Sequence, residues 1–238
     1  MSLMKKVVLL WGSTGVYGGD SSGTITKYKQ ALDMIEEGSK VYNFEMTLVQ
    51  YPGHPDRAGA SDGQLSFRTA LAGVIEECER IEPHWIVGRS FGASIAVAAL
   101  GCQRAWVKAC RGAVLWGPAF NKYLEALWPT PEDKAKMIRE YEEFKTILAP
   151  DFFETLPEIE ALVKDAQGNL RFARGSEDGY NSSADLRNLA VIHSATQPAF
   201  KRQVIELEGL DHTPIPAKLT SAQRQHYFEC LFGDSFVT

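Results

Sequence analysis

"PHWIVGRSFGASIAVAALG", residues 83–101, is the stretch on which the fold turns. Apolar Trp85-Ile86-Val87 predicts a buried strand, and the small residues after Gly92 open a helix. Between them Gly88-Arg89-Ser90-Phe91-Gly92 has the form G-x-S-x-G. That pattern is common by chance, and its weight comes from the strand before it and the helix after it. A serine at so tight a strand-to-helix turn adopts a strained backbone, and the flanking glycines let neighbouring backbone approach where a Cβ would clash. The turn would project the Ser90 hydroxyl above the sheet, over a helix N-terminus that favours negative charge. The bland alternative is a serine whose hydroxyl merely caps the helix.

Further apolar runs lie on either side of this one. Strands are predicted at Val7–Trp11, Met46–Tyr51, Trp85–Gly88, Ala113–Trp116, Leu170–Ala173 and Val204–Leu207. They alternate with helical patterns, which predicts an α/β fold: a mostly parallel six-stranded sheet flanked by helices on both faces. One helix carries Ile25, Tyr28, Leu32 and Ile35 on a face, with Gly38 as the residue just past its end. Another is read from Ser61, where Ser61-Asp62-Gly63-Gln64 has the form of a capping box, with Phe67, Leu71, Val74, Cys78 and Ile81 facing the sheet. After Trp116-Gly117-Pro118 the alternation breaks, and residues 119–168 form an excursion before the next strand. Thr130-Pro131-Glu132-Asp133 starts a helix there, with Met137, Tyr141, Phe144 and Leu148 as its apolar stripe, and a shorter helix follows at Glu158–Lys164. An excursion of this kind over strand ends reads as a small helical lid.

With 238 residues and 45% hydrophobic content, the chain is expected to form a single domain over 1–238 around one core. A net charge of −5, spread along the sequence, argues against nucleic acid as a partner. The apolar stretch Ile95–Leu100 is far shorter than the roughly 20 residues of a membrane span, and no signal peptide is read before the first strand. Cys78, Cys102, Cys110 and Cys230 lack metal or redox spacing, so free buried thiols in a reducing cytoplasm are expected.

A serine hydroxyl is a poor nucleophile unless a base takes its proton. Of the five histidines, His54 lies in a turn after the second strand and His84 at the foot of the serine's strand, the wrong end. His193 and His226 fall in predicted helices as surface or packing residues. His212 follows the last strand, in Gly209-Leu210-Asp211-His212-Thr213-Pro214, at the same sheet edge as Ser90. The imidazole in turn needs an acid to fix its tautomer. Gly175-Ser176-Glu177-Asp178-Gly179, after the fifth strand, offers Asp178, with Glu177 as its rival.

In its order Ser90…Asp178…His212 the chain resembles the α/β-hydrolase superfamily, and the similarity runs over most of its length. "VVLLWGST" looks like that family's third strand and oxyanion turn, and "MTLVQYPGHPD" its fourth strand and Pro-Gly-His turn. "IVGRSFGAS" resembles the nucleophile elbow, "GAVLWGPA" the sixth strand, "RFARGSED" the acid loop and "IELEGLDHT" the histidine loop. Two departures stand out. The chain starts at the third strand, and Trp11 occupies a place where many members have histidine.

The resemblance implies that Gly12-Ser13-Thr14-Gly15 is the oxyanion turn, with the Ser13 and Phe91 amides as donors and Thr14 in reserve for Ser13. Tyr17, Trp116, Phe120 and Trp128 are candidates for the wall of an acyl pocket, with core packing an equal alternative for each. The implied activity is acyl transfer on a small-molecule carboxylic ester, with thioesters and amides next, and without metal or cofactor. A binding protein without turnover and an acyltransferase remain alternatives on the same residues. Gly12 to Gly18 also looks like a dinucleotide loop, and Tyr141-x-x-x-Lys145 like the pair of a nicotinamide-dependent reductase. Against that reading, Gly18–Gly23 postpones the helix that should meet the pyrophosphate, and the second strand ends in Gln50-Tyr51-Pro52-Gly53 without a residue to read the ribose.

Overall fold

The apolar runs are two-sided because helices cover both faces of the sheet they build. The computed structural model describes residues 4–12, 24–50, 64–118, 129–143 and 147–233. Strands β1 (Lys5–Leu10), β2 (Phe44–Leu48), β3 (Trp85–Arg89), β4 (Gly112–Trp116), β5 (Asn169–Gly175) and β6 (Arg202–Leu207) pair in the order β2-β1-β3-β4-β5-β6. Each pairing is parallel. Successive side chains point to opposite faces, so Val7, Leu9, Trp85, Val87, Val114 and Trp116 enter one core while Val8, Leu10, Ile86, Ala113 and Leu115 enter the other.

The first core is closed by α1 (Thr24–Val41) and the C-terminal α8 (Ser221–Phe232). The second is closed by α2 (Phe67–Ile81), α3 (Phe91–Leu100), α4 (Ala105–Ala109), α6 (Ile159–Asp165) and α7 (Ser183–Thr196). Helix α3 is buried along its whole length, which is why its sequence is apolar all round rather than striped. In the excursion, α5 (Pro131–Glu143) starts as read: the Asp133 amide donates to Thr130 Oγ1 at 3.1 Å. Met137 is buried, and Phe152 packs its ring 5.6 Å from that of Phe91. Among the described residues no helix is long and apolar enough to cross a membrane. Cys78, Cys110 and Cys230 are buried free thiols, and burial pushes those of Cys110 and Cys230 up to about 12.

Three local readings are corrected. Helix α2 begins at Phe67, not Ser61; Ser66 is its N-cap, accepting from the Thr69 amide, because Leu65 is extended and bridges to Leu148. That bridge also removes Leu148 from the stripe of α5; Tyr141 and Phe144 lie outside the described side chains. Gly38 sits inside α1, where a Cβ would come 2.5 Å from the Phe228 ring, and the left-handed residue that ends the helix is Asn43. A close approach between helices, rather than a turn, is the reason for glycine there.

Candidate active site

The sheet order reverses direction between β1 and β3, and in open α/β sheets ligands bind beyond the strand ends at such a point. Gly12 leaves β1 there and Ser90 leaves β3. Ser90 has φ 53° and ψ −123°, a left-side conformation that costs about 1–3 kcal/mol for a residue with a Cβ. Its hydroxyl makes no capping bond to α3, which removes the reading of Ser90 as a mere helix cap. The turn is held by its backbone: the Ser90 amide donates to the Trp116 carbonyl at 2.9 Å, and the Ala93 amide donates to the Ser90 carbonyl at 2.9 Å. Glycine is required on both sides. A Cβ at Gly92 would lie 2.2 Å from the Trp11 carbonyl oxygen, and one at Gly88 would lie 2.6 Å from the Ala93 Cα.

The β5 and β6 loops are stitched together at the same edge. The Ser176 amide donates to the Leu207 carbonyl, the Glu177 amide to the Leu210 carbonyl, and the Gly209 amide to Ser176 Oγ. This stitching brings Asp178 Oδ2 to 2.9 Å from His212 Nδ1. The other carboxylate oxygen accepts from the Tyr180 amide at 2.8 Å, and the Asp178 side chain is fully buried. Glu177, its sequence rival, is exposed.

Burial of the imidazole pulls the His212 pKa below the ordinary 6.5, and the Arg89 charge adds to that; the Asp178 hydrogen bond and the charges of Asp178 and Asp211 oppose it. The other described histidines serve packing or solvent. His193 is buried with Nε2 at 3.1 Å from the Ala166 carbonyl, His84 accepts from the Lys6 amide at the opposite sheet edge, and His226 is exposed.

Phe91 is the first residue of α3, buried against Phe67 and Phe152. Ser13, Tyr17, Phe120 and Trp128 lie outside the described residues, as do His54 and Lys145. Of the two roles read for Trp116, pocket wall or core, its side chain takes the core position. Its ring is 1% exposed, packs edge-on to Tyr227 at 4.8 Å, and donates from Nε1 to the His212 carbonyl at 3.0 Å. An inward position on β4 makes it a support for the histidine loop instead.

Two residues at the site carry weight that their sequence context did not reveal. Gly117 has φ +50°, and a Cβ there would sit 2.7 Å from His212 Nδ1 and 2.8 Å from Asp178 Oδ2. Arg89 is buried beneath the edge, with its guanidinium 4.8 Å from the Trp11 ring centre and 5.5 Å from that of Tyr28. A charged residue ending the apolar run Trp85–Gly88 was the available signal. Among the described residues no group of His, Cys, Asp and Glu side chains could hold a metal ion.

No protein-family model matches the sequence, and no curated protein matches it significantly. Solved structures do match. The esterase Pf2001 of Pyrococcus furiosus aligns over 99% of this chain and 82% of its own with TM-score 0.66 and 12% identity. The esterase domain of a Rhodothermus marinus protein aligns over 96% and 85% with TM-score 0.64 and 13% identity. The thioesterase domain from the curacin biosynthetic pathway aligns over 94% and 91% with TM-score 0.57 and 14% identity. The chain has the α/β-hydrolase fold.

Proposed function

We propose that the chain is a serine hydrolase acting by acyl transfer, with Ser90 as nucleophile, His212 as general base and Asp178 as the acid that orients it. The observation that carries this is the 2.9 Å Asp178–His212 bond at the sheet edge from which strained Ser90 projects. In the forward step Ser90 Oγ attacks the substrate carbonyl and its proton passes to His212. The tetrahedral oxyanion is met by the Phe91 amide at the positive end of α3 and by the Ser13 amide; losing one such donor typically costs about 3–4 kcal/mol. The protonated imidazole then gives its proton to the leaving group. Water, deprotonated by the same imidazole, attacks the acyl-enzyme and releases the acid.

The lowered His212 pKa supports the base role, since the neutral form persists to lower pH. A small-molecule carboxylic ester is the favoured substrate and a thioester the next, in keeping with the esterases and thioesterase domain that share the fold. In this reading residues 119–168 serve as a lid on a single domain spanning 1–238, a reading supported by the packing of Phe152 on Phe91 beside the nucleophile turn.

The test is turnover of short-chain chromogenic esters and thioesters by the wild-type chain and Ser90→Ala, with products identified by mass. Free acid released by the wild type alone is expected. Acyl transfer to an added alcohol in preference to water would reassign the chain as an acyltransferase, and equal turnover by both proteins would remove Ser90 from the chemistry.

A further inference from the structure

We propose that Arg89, the second residue of the G-x-S-x-G turn, is a positioning residue that works with Trp116 to clamp the His212 loop onto the ends of β3 and β4. The proposal rests on the reading of Ser90, His212 and Asp178 given above. Arg89 and Trp116 are register partners in the parallel β3–β4 pair. Their side chains reach consecutive residues of one loop: Trp116 Nε1 donates to the His212 carbonyl, and Arg89 Nη2 donates to Thr213 Oγ1. The Trp116 carbonyl meanwhile accepts from the Ser90 amide. One strand-end pair therefore holds both the nucleophile turn and the base loop, although more than a hundred residues separate them in sequence.

The surroundings of the guanidinium fit a residue fixed by the site rather than by solvent. Arg89 is 5% exposed, lies over the rings of Trp11 and Tyr28, and among the described residues its Nε has no hydrogen-bond partner. Among the described residues no carboxylate forms an ion pair with it; burial lowers its pKa, and Tyr28, Tyr227, Asp178 and Tyr180 oppose that through space. Nη1 lies 3.0 Å from the point a Gly12 Cβ would occupy, and Ser90 Oγ lies 3.9 Å from that same point. The positive charge thus stands beside the nucleophile turn and the histidine loop together.

The imidazole is faced by Asp178, Asp211, Tyr180 and Arg89. Burial and Arg89 lower its pKa against the two carboxylates, so removing the arginine charge moves it up.

The experiment measures the rate of fluorophosphonate labelling against pH for wild type, Arg89→Gln, Arg89→Lys and Thr213→Val. This readout needs no knowledge of the natural substrate. Arg89→Gln is expected to label about tenfold more slowly, the order of effect of one charge-assisted hydrogen bond, with its acid limb moved to higher pH. Arg89→Lys keeps the charge, so its acid limb stays in place and part of the rate returns. Thr213→Val slows labelling with the acid limb unmoved. Should Arg89→Gln fail to fold, the other two variants decide alone.

Wild-type rates in Arg89→Lys and Thr213→Val, or an acid limb unchanged in folded Arg89→Gln, overturn the proposal while leaving the nucleophile assignment standing. The absence of any adduct on wild type overturns the nucleophile assignment and the proposal with it.

Discussion

The chain buries two arginines on its central strands, and they are used in opposite ways. Arg171, on β5, donates to Gln203 Oε1 and to the carbonyls of Glu229, Cys230 and Gly233, the last turn of α8. The Glu229 carbonyl also accepts from the Gly233 amide at 2.9 Å, while carbonyls at a helix end otherwise run out of intrahelical donors, and a buried cation is well matched to a helix C-terminus. Arg89 ends β3 at the opposite edge with one side-chain acceptor, two aromatic faces and an unpartnered Nε. One arginine completes the scaffold, while the other sets its charge beside the Ser90 turn and against Thr213 of the His212 loop. Burial alone does not distinguish them; what accepts their hydrogen bonds does.

That contrast divides the molecule into a site edge, where substitutions should change chemistry more than stability, and a scaffold, where the reverse should hold. The largest effect is expected from Asp178→Asn, which keeps the shape of the site but removes the carboxylate that fixes the His212 tautomer. Labelling or turnover should fall by about 10⁴-fold, as for triads in general, with little change in the urea midpoint. Residual activity near wild type would take Asp178 out of the site.

Next in size is Arg171→Met, which takes a buried donor from the carbonyls of Glu229, Cys230 and Gly233 at the end of α8. Urea unfolding should register a loss of about 3 kcal/mol, while the folded fraction labels at the wild-type rate. An altered pH profile in that variant would erase the distinction between the arginines.

Gly117→Ala straddles the boundary, since its Cβ would collide with both His212 and Asp178 at a positive φ. An activity loss of about 10²-fold is the scale expected for an ångström-level displacement of a catalytic group. A wild-type rate in this variant would mean that the Asp–His pair tolerates displacement.

The smallest effect concerns pH. Both His193 and His212 are buried and held below the ordinary 6.5, with burial the leading cause in each. A group whose pKa is depressed by folding contributes stability that is full above its unfolded value and declines as pH falls through 6.5 toward the folded value. Urea midpoints measured from pH 8 to 5 should therefore decline. His193→Gln should flatten that decline in part, without moving the acid limb of labelling. A shifted acid limb would couple the scaffold histidine to the site.

The fold could be read from the sequence because the inner strands β1, β3 and β4 put apolar residues on both faces and helices such as α2 and α7 carry an apolar face or a capping side chain. Strand ends were less clear: β2 runs Phe44–Leu48 rather than Met46–Tyr51, since its start is set by the left-handed Asn43 and by pairing of Phe44 with Lys5. The helix read from Ser61 starts instead at Phe67, because Leu65 pairs with Leu148, a long-range bridge that no local pattern encodes; Ser61 to Gly63 lie outside the described residues. Ser90, Asp178 and His212, the residues of the proposed site, were open to reading because each follows a strand, and parallel strands deliver their C-terminal loops to one edge. Arg89, Thr213 and Gly117 were not, since their roles arise from neighbours far away in sequence. Trp116 stayed open between pocket wall and core for the same reason: an aromatic beside a strand end can face outward or support a loop, and only strand register decides which.

The most direct test of the central claim is intact mass of the wild-type chain and Ser90→Ala after exposure to a fluorophosphonate. A single adduct on wild type, absent from Ser90→Ala and strongly slowed in Asp178→Asn, is the predicted result. An unlabelled wild-type protein that is demonstrably folded would contradict the account and leave ligand binding without covalent chemistry as the function to pursue.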